Sequence, residues 1–347
     1  MPTKPRPADD RYSRQTRFGP IGETGQALIG KASVLVCGCG ALGSVIAERL
    51  VRAGVGTLRI VDRDWVELSN LQRQSLFNEK DAAECRPKAV AAARHLGEIN
   101  SNCHIEALVE DVTCDNLESL AANYDLIVDG TDNFETRFLL NDYSLSHSIP
   151  WVHGGCLGAS GQVMSFIPGQ TACFRCLLPD LPPSDTLETC DSAGVLGSAI
   201  GIVASWQVAE ALKILSGNLN AICPGLIVID SWNTECRIIA LPPQTDCPAC
   251  QRREFPFLSG QQRTSATVLC GKNAVQIQSA VVSDAPDALQ RLAKKLESIG
   301  EVLANPYFIR LNSDKYQITI FRGGRTVVVG TTDLAEAKSL IARTLGS

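Results

Sequence analysis

The chain has 347 residues, of which 45% are hydrophobic, and it carries 32 Lys and Arg against 37 Asp and Glu. This composition is typical of a globular protein of one or two domains and excludes a disordered chain. The net charge of −5 without a dense basic patch argues against direct nucleic-acid binding. No signal peptide or apolar run of roughly 18 residues is evident, so we expect a cytoplasmic protein that spans no membrane.

The first half of the chain alternates strand-like and helix-like segments. A strand, a glycine turn, a helix and a second strand ending at Asp62 form a βαβ unit. A helix over 88–100, a strand over 104–111 and a buried strand before the polar turn DGTDN continue the pattern. This alternation predicts an α/β fold with a doubly wound, Rossmann-like, mostly parallel sheet.

The second half begins with a long apolar helix over 194–218, which Gly217 is well placed to end, and two further strands follow. Prolines and polar residues between 248 and 266 then indicate a boundary, so we expect domains over 1–255 and 256–347. In the second domain, strand-like segments between two amphipathic helices predict a small α+β module with a hairpin between the helices.

The glycine turn has the G-x-G-x-x-G spacing at Gly38, Gly40 and Gly43, after a strand and before a helix. Such a turn brings the backbone and the helix N-terminus close to a phosphate, and Asp62 can bond ribose hydroxyls. These features predict a nucleotide but not which one, and alone they favour NAD. GQALIGKA (25–32) matches a phosphate loop poorly, because Ala32 replaces the magnesium-binding hydroxyl and the segment precedes its strand.

Three further features favour ATP. The segment DRDWVELSNLQRQ brings Asn70, Arg73 and Gln74 to the carboxyl edge of the sheet. Lys88 stands just before a helix, and DGTDN supplies Asp129 and Asp132 at a strand end, where a carboxylate can hold Mg²⁺. Because catalysis at phosphorus depends on positioning and charge neutralisation, cations and an Asp-bound Mg²⁺ at one edge suit a triphosphate.

The motifs RYSRQ, GCGALGS, DRDWVELSNLQRQ, PKA, DGTDN and TCDSAGVLG together resemble the ThiF/MoeB family, bacterial relatives of the ubiquitin-activating enzymes, over residues 10 to 253. The resemblance implies an adenylyltransferase that activates the C-terminal Gly-Gly carboxylate of a ubiquitin-like sulfur carrier protein. It also implies a homodimer, in which Arg14 reaches into the partner subunit's site. Asp132 would bind Mg²⁺. The ATP site implied by these motifs comprises Gly38, Gly40, Ala41, Gly43, Asp62, Asp64, Ser69, Asn70, Leu71, Gln72, Arg73, Gln74, Lys88, Asp132 and Asn133, with Ala41 where the family often has glycine.

Four of the fourteen cysteines form two C-x-x-C pairs, Cys173 with Cys176 and Cys247 with Cys250. Four thiolates have the composition of a closed structural Zn²⁺ site. Seventy residues separate the pairs, so redox motifs or buried thiols remain alternatives on spacing alone. The ThiF/MoeB resemblance favours Zn²⁺, because many members have the same pairs.

Cys190 lies in a Pro- and Asp-rich segment a few residues before the long helix. A helix N-terminus favours the nucleophilic thiolate, although a neutral loop thiol is an equal alternative. The resemblance implies a role after adenylation, with sulfur supplied by a cysteine desulfurase or another persulfide donor. His153 lies in a glycine-rich strand that could admit the carrier tail, but local hydrogen bonding is the favoured interpretation of this histidine.

Three rival functions stay open at this point: a same-fold enzyme that adenylates a tRNA base or a peptide terminus, an NAD-dependent oxidoreductase, and a non-catalytic scaffold pinned by zinc. The second domain has no assigned role. Its Cys270 is interpreted as a packed strand thiol.

Overall fold

The computed structural model describes residues 11–182, 193–262, 266–269, 273–278, 287–313, 315–321 and 324–345. The chain divides into two compact units, Met1–Gln262 and Arg263–Ser347. The division lies after Gln262 and not after residue 255. Phe257 explains the difference, because its ring is buried in the first unit and its N–H donates to Asp142 at 3.0 Å.

The elements of the first unit alternate as the sequence predicts. Its helices are α1 Ser13–Thr16, α2 Gly22–Ile29, α3 Ala41–Ala53, α4 Glu79–Ala83, α5 Lys88–Ile99, α6 Leu117–Ala121, α7 Phe134–His147, α8 Phe174–Leu177 and α9 Gly197–Leu215. Its strands are β1 Ser33–Cys37, β2 Thr57–Val61, β3 His104–Leu108, β4 Leu126–Asp129, β5 Trp151–Leu157, β6 Ser160–Phe166, β7 Gly225–Asp230 and β8 Glu235–Ala240.

Within the described residues these strands form one sheet in the order β3-β2-β1-β4-β5-β6-β7-β8. The first five are parallel, and β6 to β8 continue the sheet antiparallel. The doubly wound, mostly parallel fold is therefore confirmed. The chain order reverses between β1 and β4, and ligands of such sheets bind at that point, outside the carboxyl ends of the strands.

The central strand β1 shows why the sheet is covered on both faces. Val34 and Val36 pack into one core with α3, α5 and α9, whereas Leu35 and Cys37 pack into another with α6 and α7. A strand buried on both faces reads as a continuous apolar run. The helix after it, α3, ends at Gly54, whose φ of 88° is the left-handed conformation that glycine adopts without strain.

The long helix α9 is part of the first core. It is long and apolar enough to cross a membrane by length and composition, so the expectation that no apolar run reaches that length was wrong. Half of this apolar stretch is buried inside the first unit, where the helix packs against α3, β5 and β6. The core helix of a doubly wound sheet can have the same length and apolar composition. As expected, α9 ends just before Gly217, which has a φ of 81°.

The second unit is an antiparallel sheet with helices. Its elements are β9 Ala266–Leu269, β10 Ala274–Gln278, α10 Ala288–Leu296, β11 Glu301–Ala304, β12 Phe308–Ser313, β13 Tyr316–Phe321, β14 Arg325–Val329 and α11 Leu334–Leu345. The described strands pair in the order β11-β12-β13-β14-β10-β9. The predicted hairpin between the two helices is present, but it is part of a larger sheet. Strand β10, which precedes the first helix, joins that sheet by pairing with β14. Cys270 lies outside the described residues.

Candidate active site

The glycine turn between β1 and α3 is packed at two glycines and open at the third. A Cβ on Gly38, where φ is 84°, would lie 2.8 Å from the Gly130 carbonyl oxygen, and one on Gly43 would lie 1.9 Å from the Gly38 carbonyl oxygen. The atom nearest to a Cβ on Gly40 would be Nε2 of Gln74, at 3.9 Å. Close packing thus explains Gly38 and Gly43, whereas Gly40 leaves the room that a phosphate needs to approach the backbone.

Asp62 ties the end of β2 to this turn. Its two carboxylate oxygens accept the N–H of Cys39 at 2.6 Å and the N–H of Asp64 at 2.7 Å. Burial raises its pKa above the ordinary value, against the opposing attraction of Lys88. Each oxygen has a second lone pair, so the side chain can hold the loop and still accept a ribose hydroxyl.

Lys88, the first residue of α5, is a buried cation beside the same strand end. Its Nζ lies 3.3 Å from Oδ2 of Asp64, and its N–H donates to the Asp64 carbonyl oxygen at 2.8 Å. Burial alone would lower its pKa, but Asp64, Asp62 and Asp132 outweigh burial and raise it. Lys88 is therefore held as a permanent positive charge among three carboxylates.

The segment that follows β2 carries several polar residues of the predicted site and approaches the glycine turn at Gln74. Asn70 closes a short helical turn by accepting the N–H of Glu67 at 3.2 Å, and Nη1 of Arg73 donates to the Ser69 carbonyl oxygen at 3.0 Å. Among the described residues Arg73 has no acidic partner. Gln74 is buried, and its Oε1 finds no hydrogen-bond partner in the described part of the chain. Such an orphaned acceptor beside Gly40 is expected where a ligand supplies the donor.

The other residues predicted around this segment differ in how they are placed. Ser69 and Gln72 are exposed, Leu71 packs against the first core, and Ala41 is the first residue of α3. The Gln72 carbonyl oxygen also lies where a side chain on Gly197 would meet it, at 2.9 Å. The segment is thus in contact with the start of α9.

The two aspartates of DGTDN have different environments. Asp129 is fully buried, and its carboxylate accepts bonds from Arg137 Nε at 3.2 Å and His153 Nδ1 at 2.9 Å. Burial would raise its pKa, but these two partners more than offset burial and lower it. Asp132 is exposed and accepts no hydrogen bond within the described ranges. Asp132 is therefore the more accessible of the two carboxylates, while Asp129 is committed to bonds within the protein.

Three other predicted residues remain: two have different surroundings, and one lies outside the described part of the chain. Asn133 caps α7 by accepting the Thr136 N–H at 2.8 Å. Arg14 is exposed on α1, where its one recorded hydrogen bond is to Ser13 Oγ at 3.5 Å, and it has no ion-pair partner among the described residues. Cys190 lies outside the described residues.

Sequence reasoning missed Arg137, which bonds both Asp129 and the Thr131 carbonyl oxygen. A signal existed, because a lone arginine stands in the otherwise weakly charged segment 136–141. Nothing in the pattern, however, named its partner. His153 is buried and held by local hydrogen bonds, as expected.

The four paired cysteines come together as predicted. The Sγ atoms lie 3.8 Å apart in the pair Cys173 and Cys176, 3.5 Å in Cys173 and Cys247, and 3.6 Å in Cys176 and Cys250. All four lie within 4.8 Å of one another. Zn–S bonds of about 2.3 Å in a tetrahedron place sulfurs about 3.8 Å apart. The cluster can therefore hold a metal ion, and the Gln244 N–H donates to Cys176 Sγ at 3.4 Å as a supporting contact.

Comparison with known proteins places this arrangement in a family. Residues 12–249 match the ThiF family. The chain belongs to the ThiF family. It is 45% identical over 340 residues to the sulfur carrier protein ThiS adenylyltransferase of Bacillus subtilis, with 97% of this chain and 99% of that protein covered. It is 37% identical over 246 residues to a sulfur carrier protein adenylyltransferase of Thermus thermophilus, with 70% and 90% covered.

The solved structures similar to this ThiF-family chain agree on the fold. A crystal structure of E. coli MccB with ATP matches with a TM-score of 0.61 and 20% identity, covering 70% of this chain and 75% of that chain. The family match ends at residue 249, inside the first unit. The longer Bacillus alignment extends into the second unit, so that unit too has a counterpart in a relative.

The glycine turn gives a matched pair of substitutions. Gly43→Ala should lower the melting temperature strongly, because its Cβ would overlap backbone that cannot move away. Gly40→Ala should melt close to wild type yet lose at least tenfold in ATP affinity. Thermal melts and calorimetric titration with ATP measure both effects. Equal loss of stability in the two variants would contradict the assignment of Gly40 to the ligand.

Proposed function

We propose that this chain uses ATP to adenylate the C-terminal Gly-Gly carboxylate of a ubiquitin-like sulfur carrier protein of the ThiS type. The main support is the 45% identity to a ThiS adenylyltransferase along nearly the full length of both proteins. The charged groups that follow β2 support the same reaction, because Lys88 is buried beside Asp64 and Arg73 has no acidic partner among the described residues. A triphosphate needs such cations far more than a dinucleotide does.

In the proposed reaction a carboxylate oxygen of the carrier attacks the α-phosphorus of ATP. The bond from that phosphorus to the bridging oxygen of the β-phosphate breaks, and pyrophosphate leaves with the electron pair. Asp62 orients the ribose, the backbone at Gly40 approaches the phosphates, and Asn70, Arg73 and Lys88 bind phosphate oxygens. Mg²⁺ held by Asp132 would neutralise part of the charge that develops on pyrophosphate.

The acyl adenylate is then an activated acceptor for sulfur. We place Cys190 in this second stage, either as the thiol that displaces AMP to form a thioester with the carrier, or as a persulfide, loaded by a cysteine desulfurase or a comparable donor. The persulfide would displace AMP to form an acyl disulfide, which a second thiol would reduce to the thiocarboxylate. We also propose a cytoplasmic location, where thiols are kept reduced.

The two stages can be separated by two variants. Asp132→Ala should abolish carrier-dependent exchange of labelled pyrophosphate into ATP, because the metal-binding carboxylate is lost. Cys190→Ala should exchange at a rate near wild type but form no thiocarboxylate. Exchange assays and mass spectrometry of the carrier measure the two stages. Normal exchange by both variants would refute the site.

Arg14 is proposed to act on the partner subunit's nucleotide in a homodimer. Its support is its exposure on α1 without an acidic partner in the described ranges. Since α1 is anchored by Tyr12, whose hydroxyl accepts Asn100 Nδ2 at 2.9 Å, Arg14 projects from a fixed base.

Mixing two inactive variants tests this arrangement. Arg14→Ala and Asp132→Ala homodimers should each be inactive. After subunit exchange the mixture should recover about a quarter of wild-type activity, because half of the dimers are mixed and each of those has one intact site. Each variant exchanged with itself is the control. If Arg14 served its own subunit's site, the mixture would stay inactive.

Zn²⁺ is the metal proposed for the four cysteines, with a structural role, since four thiolates leave no open position. Cys247→Ser should remove the bound zinc and lower the melting temperature by several degrees. Cys236→Ser, at an exposed cysteine outside the cluster, is the matched control and should keep both. Metal analysis and thermal melts measure the outcome. Full zinc content in Cys247→Ser would count against the site.

A further inference from the structure

The turn between β4 and α7 presents Asp132, and its geometry depends on a buried network that includes His153. We infer that His153 is a positioning residue for Asp132, acting through the carboxylate of Asp129. This inference rests on the proposed function, because it concerns the carboxylate assigned to Mg²⁺. It gives a role in metal binding to a histidine whose hydrogen-bond partners are both protein side chains.

Every polar group of Thr131, the residue before Asp132, takes part in a hydrogen bond. The N–H and Oγ1 of Thr131 both donate to Oδ1 of Asp129, at 2.8 and 2.6 Å. The Thr131 carbonyl oxygen accepts Nη2 of Arg137 at 2.7 Å. On the other side, Asn133 is fixed as the cap of α7. Both residues that flank Asp132 are therefore held by hydrogen bonds. The orientation of the Asp129 carboxylate determines the position of one of them, Thr131.

His153 holds the other oxygen of that carboxylate. Its Nδ1 lies 2.9 Å from Oδ2 of Asp129, and its Nε2 lies 3.2 Å from Nε2 of Gln162. The Gln162 amide nitrogen can only donate, so Nε2 of the ring accepts and Nδ1 carries the proton given to Asp129. Burial lowers the pKa of His153, which agrees with this neutral tautomer. The ring is thus a donor of fixed direction.

Two features make His153 hard to replace. Its ring is fully buried and lies edge-on to Phe174 and Trp151, with centroids 5.2 and 5.9 Å away. Because the ring is packed against these two aromatic side chains, a leucine in its place should leave little room for a water molecule to donate to Asp129. Arg137 remains as a partner of the same oxygen, but it also serves Thr131, so it does not by itself fix the carboxylate plane. Without His153 the Asp129 carboxylate keeps Thr131 and Arg137 as partners but loses its closer donor on Oδ2, so we expect the carboxylate and Thr131 to shift.

The consequence is specific to the metal. The Asp62 carboxylate is held by the N–H groups of Cys39 and Asp64 and not by His153, so we expect ATP affinity without Mg²⁺ to survive the loss of His153. The gain in affinity that Mg²⁺ provides should fall, because Asp132 would no longer be presented in one direction. Loss of residues that orient metal ligands typically weakens metal binding by about 10- to 100-fold.

The test is ATP binding by calorimetry with Mg²⁺ and with EDTA. In His153→Leu we expect ATP affinity in EDTA within about twofold of wild type and a loss of at least about tenfold in the gain from Mg²⁺. His153→Asn, whose amide nitrogen can take the place of Nδ1, should restore most of that gain. His95→Leu is the matched control, because His95 also bonds a buried aspartate, Asp81, at 2.7 Å. It should leave the gain from Mg²⁺ unchanged.

The outcomes separate this inference from the proposed function. If wild type shows no gain from Mg²⁺, or Asp132→Ala keeps it, the proposed metal site is wrong. If those two behave as proposed and His153→Leu keeps the full gain, the positioning role is overturned. Should His153→Leu fail to bind ATP in EDTA, His153→Asn decides: restoration of the gain supports the role, and its loss in a variant that binds ATP in EDTA overturns it.

Discussion

Contact of backbone against backbone at the reversal point of the sheet is the constraint on which the site depends. Gly130, after β4, lies so close to the turn after β1 that an added Cβ would be 2.6 Å from the Gly38 carbonyl oxygen and 2.8 Å from the Gly43 Cα. Side chains cannot occupy this contact. Because the strand ends meet there without spacers, the polar residues that follow β1, β2 and β4 can act on one ligand.

The charges gathered at this edge are unequally satisfied. Lys88 and Arg63 both lie against carboxylates, with Arg63 Nη1 2.7 Å from Asp111 Oδ2. Arg73 has no acidic partner in the described part of the chain, and Asp132 is open to solvent. A bound triphosphate would supply an anionic partner for Arg73, and its metal ion would supply a cationic partner for Asp132. The protein alone is therefore only partly neutralised, which favours a ligand that carries both signs.

Local patterns allowed much of this structure to be predicted. The glycine spacing, the strands around it and the end of α9 at Gly217 follow from conformational rules that act over a few residues. The two C-x-x-C pairs were recognisable for the same reason, although only the fold brings Cys173 to Cys247. Local patterns did not distinguish Asp129 from Asp132, and only the family resemblance singled out Asp132, because the difference between them depends on His153 and Arg137, which reach Asp129 through the fold. The six-stranded sheet of the second unit was also only partly foreseen, since β10 pairs with a strand far along the chain.

The cysteine cluster also closes the chain on itself. The segment between Cys176 and Cys247 contains α9, β7 and β8, and Gln207 of α9 donates to the Asp129 carbonyl oxygen at 2.7 Å. Tying the ends of so long a loop removes chain entropy from the unfolded state, worth on the order of 4 kcal/mol for a covalent link. A metal ion bound by the cysteines would thus restrain α9, the helix that contacts the end of β4 through Gln207. The supply of metal to the cell would then govern how much of the chain persists in an active form.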